Sequence, residues 1–375
     1  MKILVDENIP AAVACFSQFG DVQQISGRQL SNTDIGDAEV LIVRSVTKVN
    51  EALLAGTGVQ FVGSTTIGTD HLDLSFLASA GVRVCNAPGS NAESVVDYVM
   101  SAICRIDNLL ERLLMGESVG IVGFGNVGQR LARRLDALGI AWRAYDPLLD
   151  PASSPGLTSL NDVLKSSLLC LHAPLTRDGP YPSYHMINAD QLAAMPKDGV
   201  LLNAGRGEVI ATEALLALRD KRADISLVLD VWEGEPEFPA ALASYCRIAT
   251  PHIAGYSADG KLTGLKMVAA ELADFLGLSL SPFAIPANMA KVKPVSCDGA
   301  NVADFIRRAV TSVYDVESDA ARFRRIIDAI DRGQQFDLLR KNYPVRRELA
   351  FSGLTATNPE FSKVLGALQS GRQED

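Results

Sequence analysis

One stretch constrains this chain more than any other. The apolar run Ser118-Val119-Gly120-Ile121-Val122 passes directly into Gly123-Phe124-Gly125-Asn126-Val127-Gly128. The run reads as a buried strand, and a helical pattern follows it, with Val127, Leu131, Leu135 and Leu138 on one face. A second strand, Ile140 to Tyr145, ends at Asp146. Each glycine has its own physical task. Gly123 permits a tight turn, Gly125 lets the backbone approach a pyrophosphate, and Gly128 lets the helix pack close to the strand. The helix start presents unpaired N–H groups and a positive dipole end to an anion. Asp146, about 20 residues on, can accept hydrogen bonds from a ribose diol. It would repel a 2′-phosphate, and Pro147, Leu148 and Leu149 supply no cation to offset that. The pattern therefore predicts NAD rather than NADP. The glycine spacing alone is weak evidence, but strand, helix, second strand and terminal acid are all in place.

At 375 residues the chain has room for two or three domains and a full core. A net charge of −9 argues against a nucleic-acid partner. The six cysteines are scattered, form no C-x-x-C pair and make no zinc-spaced cluster with histidine, so no metal is expected. Thiols in apolar stretches point to a reducing compartment, the cytoplasm. The N-terminus reads as a strand rather than a signal peptide, and no apolar run is long enough to span a membrane.

Before residue 90, short strands (Lys2–Val5, Val40–Val43, Phe61–Val62, Val82–Val84) alternate with helical stretches, which implies a parallel sheet. Two loops past strand ends, Arg44 to Lys48 and Gly63 to His71, are rich in hydroxyls and backbone donors. They suit an anionic substrate or are ordinary turn chemistry. Ser90-Asn91-Ala92-Glu93 has a capping-box pattern and opens a helix expected to run to about Met115. Beyond Asp146, strands are expected at Leu168–Thr176, Val200–Asn203, Ser226–Leu229 and from Ile248, each followed by a polar turn. Helices are expected near 211–219 and from Ser257 to Leu276. The last part holds strand candidates at Ala290–Val295 and Val345–Leu349, and a helix carrying Val302, Phe305 and Ile306. It also holds an amphipathic stretch at Ala320–Ile330, a basic stretch Leu339-Arg340-Lys341-Asn342-Tyr343, and a final helix from Asn358-Pro359. Three domains follow: residues 1–92 with 256–285, residues 93–255, and residues 286–375, the last better stabilised by docking or dimerising.

Nicotinamide chemistry on a hydroxyl needs a base, a cation for the carboxylate and forming carbonyl, and a group that holds the base in the right state. Four histidines are available. His252 lies in a Thr-Pro-His-Ile-Ala-Gly turn after a strand. His172 ends a buried strand and suits a structural place at the cofactor wall. His71 sits in the donor-rich loop, and His185 follows a Pro/Tyr-rich loop with no visible partner. Arg206, between two glycines at a strand end, can grip a carboxylate with its fork. Glu235 can pair with His252 and favour its charged form, and by spacing Glu233 is an equal rival.

The Rossmann run with Asp146, Asn203-Ala204-Gly205-Arg206-Gly207, Leu229 to Pro236 and Thr250 to Gly255 together resemble the D-isomer-specific 2-hydroxyacid dehydrogenases. The resemblance implies an α/β fold: a Rossmann-type doubly wound NAD domain inserted into a flavodoxin-like substrate domain, with a C-terminal α+β dimerisation domain. It implies Arg206, Glu235 and His252 as the catalytic trio, and Glu235 over Glu233. It also implies cofactor contacts at Gly123, Gly125, Asn126, Val127, Gly128, Asp146, Pro174, Leu175, Thr176, Ala204, Gly205, Arg206, Asp230 and Gly255. Further stretches are similar to one branch of that family: Met1 to Asn8, Val43 to Asn50, Gly68 to His71, Asp178 to Tyr181, Val313 to Val316 and Phe336 to Tyr343. From Pro282 to Gly299 no shared landmark is found.

The resemblance to that branch implies a homodimer that oxidises a small phosphorylated four-carbon hydroxyacid in pyridoxal 5′-phosphate synthesis. The resemblance implies substrate contacts at Ser45, Thr66 and Tyr256. For the substrate phosphate, Arg44, Lys48 and a basic residue of the dimer mate, such as Arg346, stand as candidates. A dehydrogenase of 3-phosphoglycerate or another phospho-hydroxyacid would carry the same trio. A non-catalytic NAD sensor would share the fold without needing the trio.

Overall fold

The computed structural model describes residues 1–152, 154–290 and 295–370. The chain divides into two compact units, Met1–Asn91 with Ser257–Lys291, and Ala92–Tyr256 with Val292–Asp375.

The first unit is built on a five-stranded sheet of β1 (Lys2–Asp6), β2 (Asp21–Ile25), β3 (Val40–Val43), β4 (Phe61–Ser64) and β5 (Arg83–Cys85), in the order β2-β1-β3-β4-β5. Every pairing is parallel. Successive side chains of a strand point to opposite faces, and both faces are covered. Ile3, Val5, Val40 and Ile42 pack on one side with Leu265, Val268 and Leu272 of the helix Ala258–Phe275. Leu4, Leu41, Val43 and Val62 pack on the other side with Leu53, Leu54 and Leu77. That is why β3 reads as an unbroken apolar run. β2 carries no such signal, because as an edge strand it leaves Asp21, Gln23 and Gln24 exposed.

The second unit has a six-stranded parallel sheet of β6 (Ser118–Val122), β7 (Ala141–Tyr145), β8 (Leu168–Leu171), β9 (Val200–Asn203), β10 (Ser226–Leu229) and β11 (Ile248–Ala249). Their order is β11-β10-β9-β8-β6-β7, so β6 has β7 on one side and β8 on the other. In open α/β sheets a ligand crevice forms at such a reversal, beyond the carboxyl ends of the strands.

The helix expected from residue 90 to 115 is two helices, Ala92–Arg105 and Leu109–Leu114. Asn108 stands between them with φ +57°, a left-handed conformation that asparagine tolerates. Ile106 before the break and Leu109 after it are both buried, so the break keeps the apolar side chains aimed inward.

The C-terminal segment shares the cores of this unit. Phe305, Ile306, Val310, Leu349 and Leu368 belong to the cluster that holds Val96, Val99 and Ile103. Phe323 and Phe336 pack with Trp232 and Phe238 on the other sheet face. The amphipathic stretch ends earlier than expected, as a helix Val316–Arg324, and a second helix, Arg332–Lys341, follows it. Of the strand expected at Ala290–Val295, residues 291–294 lie outside the described residues, and the strand described there is Val295–Cys297, parallel to Leu354–Ala356. The stretch 345–349 is not a strand. It is irregular, with no ladder partner, and ends in a short 3-10 turn, Leu349–Phe351. The reason is Arg346, which is pulled inward: its Nη2 donates to the Ser94 carbonyl at 2.9 Å, to the Ala254 carbonyl at 2.7 Å and to Ser94 Oγ. Its guanidinium lies 4.0 Å from the Tyr314 ring centroid.

Candidate active site

A glycine-lined cradle is assembled where β6 and β8 adjoin. Gly123 leaves β6 with φ +91°. A Cβ there would lie 2.6 Å from the Ala173 nitrogen, in the loop after β8, so only glycine fits. At Gly128 a Cβ would strike the Gly123 carbonyl oxygen at 2.3 Å, while at Gly125 it would meet nothing within 4 Å. Gly125 caps the helix Asn126–Ala137 without a side-chain hydrogen bond, and the first turn of that helix holds no acid. The amino end of a 12-residue helix therefore opens onto space with its donors uncommitted to side chains. Asp146, past β7, accepts from the Phe124 N–H at 2.9 Å and from the Leu148 N–H at 3.1 Å, which fixes its carboxylate beside the glycine turn.

The neighbouring turns are locked by side chains. Thr176 N–H donates to Ser183 Oγ at 2.8 Å, and Ser183 Oγ donates to the Pro174 carbonyl at 2.6 Å. Asn203 accepts from Gly205 N–H at 3.1 Å and donates to the Arg206 carbonyl at 3.0 Å, which shapes the turn of Ala204, Gly205 and Arg206. These residues fit NAD: a glycine-lined anion site, an acid for the ribose, and shaped turns at the ends of β8 and β9. His172 stands in the wall between them. Both its ring nitrogens are shut off from solvent with no hydrogen-bond partner among the described residues, and burial pushes its pKa down to about 4.

Arg206, Glu235 and His252 follow β9, β10 and β11, three adjacent strands, at their carboxyl ends. Glu235 Oε1 is 2.5 Å from His252 Nδ1, and Glu235 Oε2 accepts from the Trp232 N–H at 3.3 Å. Burial alone would raise the Glu235 pKa, but the charge and hydrogen bond of His252, with the charge of Arg340, hold it below the usual carboxylate range. Glu233 is engaged elsewhere. It pairs with His185 Nε2 at 2.8 Å and accepts from the Thr212 N–H at 3.1 Å. His185 thus has the partner its sequence context did not reveal.

The turn that carries His252 is organised by Asp230, which was expected at the cofactor. Its carboxylate is buried and accepts from Thr250 Oγ1 at 2.6 Å, Ile253 N–H at 2.8 Å and Ala254 N–H at 2.8 Å. Its carbonyl accepts from the His252 N–H at 2.6 Å. These bonds hold His252 at φ +56°, a conformation that costs about 1–3 kcal/mol in a non-glycine residue and persists only when the surroundings impose it.

Tyr256, one turn further, accepts from Arg340 Nε at 3.2 Å and meets the Tyr343 ring edge-on at 5.6 Å. In sequence Arg340 stands only in a basic stretch, with no signal for a role at the site. Arg346, a candidate for the phosphate from a second subunit, is buried in its own chain and is withdrawn from that role. In the first unit, Ser45 is exposed past β3, and Thr66 Oγ1 lies 2.9 Å from Ser64 Oγ, which is 3.0 Å from His71 Nε2. Arg44 pairs with Asp6 at 3.1 Å, and Lys48 is exposed. Among the described residues, no cluster of histidine, cysteine, aspartate or glutamate could hold a metal ion, and no helix is long and apolar enough to cross a membrane.

Residues 95–254 match the family model of the D-isomer specific 2-hydroxyacid dehydrogenase NAD binding domain, and residues 288–368 match a domain of unknown function. The erythronate-4-phosphate dehydrogenase of Teredinibacter turnerae is 44% identical over 360 residues, 95% of each chain. That of Edwardsiella ictaluri is 44% identical over 373 residues, 98% of each chain. Among solved structures, the NAD⁺-bound 3-phosphoglycerate dehydrogenase of Entamoeba histolytica superposes with a TM-score of 0.63 at 22% identity, covering 76% of this chain and 99% of that one.

Proposed function

The chain belongs to the erythronate-4-phosphate dehydrogenases, within the D-isomer-specific 2-hydroxyacid dehydrogenase family, and from that premise we propose how its residues divide the work. It is an NAD-dependent dehydrogenase that oxidises the 2-hydroxyl of 4-phospho-D-erythronate to the 2-oxo acid, (R)-3-hydroxy-2-oxo-4-phosphooxybutanoate. The step belongs to pyridoxal 5′-phosphate biosynthesis. When bound, NAD takes up the hydride that leaves the substrate carbon.

His252 accepts the hydroxyl proton on Nε2, since Nδ1 is committed to Glu235. Glu235 orients the imidazole and stabilises the charge it acquires. Arg206 binds the carboxylate and the developing carbonyl with its fork. Ser45, Thr66 and Tyr256 contact the polar body of the substrate. The open amino end of the helix Asn126–Ala137 receives the pyrophosphate, and Asp146 the ribose.

The observation that carries this reading is the His252–Glu235 pair on a turn held by a buried aspartate. The test is His252→Ala, which abolishes turnover of 4-phospho-D-erythronate while NAD binding persists. Near-normal turnover in that variant would remove His252 as the base.

The working form is a homodimer that uses the C-terminal segment, where Val302, Ile330, Leu338 and Val345 leave apolar surface exposed. Sedimentation at micromolar concentration tests this. The cytoplasm is its compartment: none of the six thiols is bonded to another, which suits a reducing environment. The acidic balance of the chain speaks against a nucleic-acid partner.

A further inference from the structure

We propose that Arg340 grips the phosphate of the substrate, so that the C-terminal segment completes the active site of its own chain. The proposal rests on the substrate reading above.

The helix Arg332–Lys341 is docked on the loop that carries Glu235. Phe336 is fully buried, with its ring 5.9 Å from Phe238 and 6.1 Å from Phe323. Arg332 Nε donates to the Phe238 carbonyl at 3.2 Å. Phe238 lies three residues after Glu235, so the helix and the catalytic carboxylate share one support. Arg340, one turn beyond Phe336, covers that ring at 5.7 Å and reaches Tyr256 Oη with Nε at 3.2 Å. Tyr256 in turn lies four residues after His252. The guanidinium is thereby fixed between the two turns that carry the catalytic pair.

Among the described residues no carboxylate lies in close contact with it. The Arg340 side chain is only 18% exposed, and its ion-pair partner among the described residues is Asp337, at 3.9 Å from Nη1. Glu235, the other acid whose charge it feels, already belongs to His252. A mostly buried arginine with so distant an anion is set to receive one. Nε is spent on Tyr256, which leaves the two Nη groups, and such a pair matches two oxygens of a phosphate.

The substrate brings two anionic ends. Arg206 is assigned to the carboxylate, and the phosphate needs a second cation. Arg346 is buried under Tyr314, Arg44 is tied to Asp6, and Lys48 is exposed, its charge already solvated. Arg340 has the position, and its printed ion pair is a long one, 3.9 Å to Asp337.

The experiment compares 4-phospho-D-erythronate with unphosphorylated D-erythronate in the wild type, Arg340→Met and Arg340→Lys. The readouts are kcat and KM for each acid, with NAD binding and thermal unfolding as controls for folding. In Arg340→Met the preference for the phosphorylated acid should fall about 100-fold, mostly through KM, as expected for loss of a desolvated charge-assisted pair. Arg340→Lys should recover part of it, since it keeps the charge and loses the fork. Inorganic phosphate should raise the unfolding temperature of the NAD-loaded wild type and leave that of Arg340→Met unmoved. Equal losses on both acids would overturn the proposal and make Arg340 a positioning residue for Glu235 and Tyr256. An unchanged preference would also overturn it. If the wild type oxidised neither acid, the substrate reading would fail, and the phosphate titration alone would decide whether Arg340 binds a phosphate.

Discussion

Glu235 Oε1 sits 2.5 Å from Nδ1 of His252, and this one contact sets the tautomer and direction of the imidazole. Glu233, two residues earlier, faces His185 instead. Glu235→Gln should therefore lower kcat about 100-fold or more, since an amide cannot stabilise the imidazolium. Glu233→Gln should retain most of the turnover. Steady-state kinetics on both variants checks this, and the reverse ranking would reassign the orienting acid.

Asp146 is held by the Phe124 and Leu148 backbone N–H groups with its carboxylate at the end of β7. A fixed negative charge there suits a ribose diol and opposes a 2′-phosphate. Asp146→Ser with Leu148→Arg should weaken NAD by about tenfold and admit NADP, because the repulsive element is replaced by a cation. Titration of both cofactors by protein fluorescence would show it. Undiminished NAD preference would mean that Asp146 does not face the ribose.

Arg134 is buried on the helix Asn126–Ala137 and donates to Glu93 at 2.8 Å and Asp97 at 3.2 Å on the helix Ala92–Arg105. Asp97 also accepts the Leu349 N–H at 2.8 Å, which ties in the C-terminal segment. Arg134→Met leaves two buried carboxylates short of their shared cation and should cost about 3–5 kcal/mol of stability. Urea unfolding measures it, and a loss below about 1 kcal/mol would show the network to be dispensable.

His172 makes stability depend on pH. Its pKa in the folded protein is depressed by burial from 6.5 to about 4. Above 6.5 the ring is neutral in both states and costs nothing. As pH falls through 6.5 the unfolded chain takes up a proton that the folded chain refuses until about 4, so folding loses stability across that window. The full loss is up to about 3 kcal/mol. Unfolding of wild type and His172→Leu without cofactor, followed between these pH values, should show stabilities that diverge by this amount in total. Parallel curves would mean the folded ring can be protonated.

Much of the fold could be read from the sequence because both sheets are parallel and covered on both faces. Strands such as Val40–Val43 and Val200–Asn203 are then continuous apolar runs bounded by turns. The edge strand Asp21–Ile25 carries no such signal, since three of its five side chains are exposed. The break at Asn108 was hidden because apolar residues keep helical spacing on either side of it. At the site, glycine spacing and strand ends located the turns, but not which acid faces which histidine. Spacing cannot separate Glu233 from Glu235, and only the folded turn sends one to His185 and the other to His252. In sequence Arg346 stands in a strand candidate and is the phosphate candidate of a second subunit, while Arg340 belongs only to a basic stretch. Their fates diverge because Arg346 is drawn under Tyr314 while Arg340 is carried by Phe336 to Tyr256. Such long-range placement leaves no local trace.

The central claim is the substrate, and the most direct test is NAD reduction by the purified protein. It would be followed at the nicotinamide absorbance band with 4-phospho-D-erythronate, 3-phosphoglycerate and D-erythronate, each with and without a 2-oxo acid trap. The expected result is a clear preference for the phosphorylated four-carbon acid. A preference for 3-phosphoglycerate would keep the fold and the Arg206, Glu235 and His252 trio but contradict the assignment of substrate and pathway.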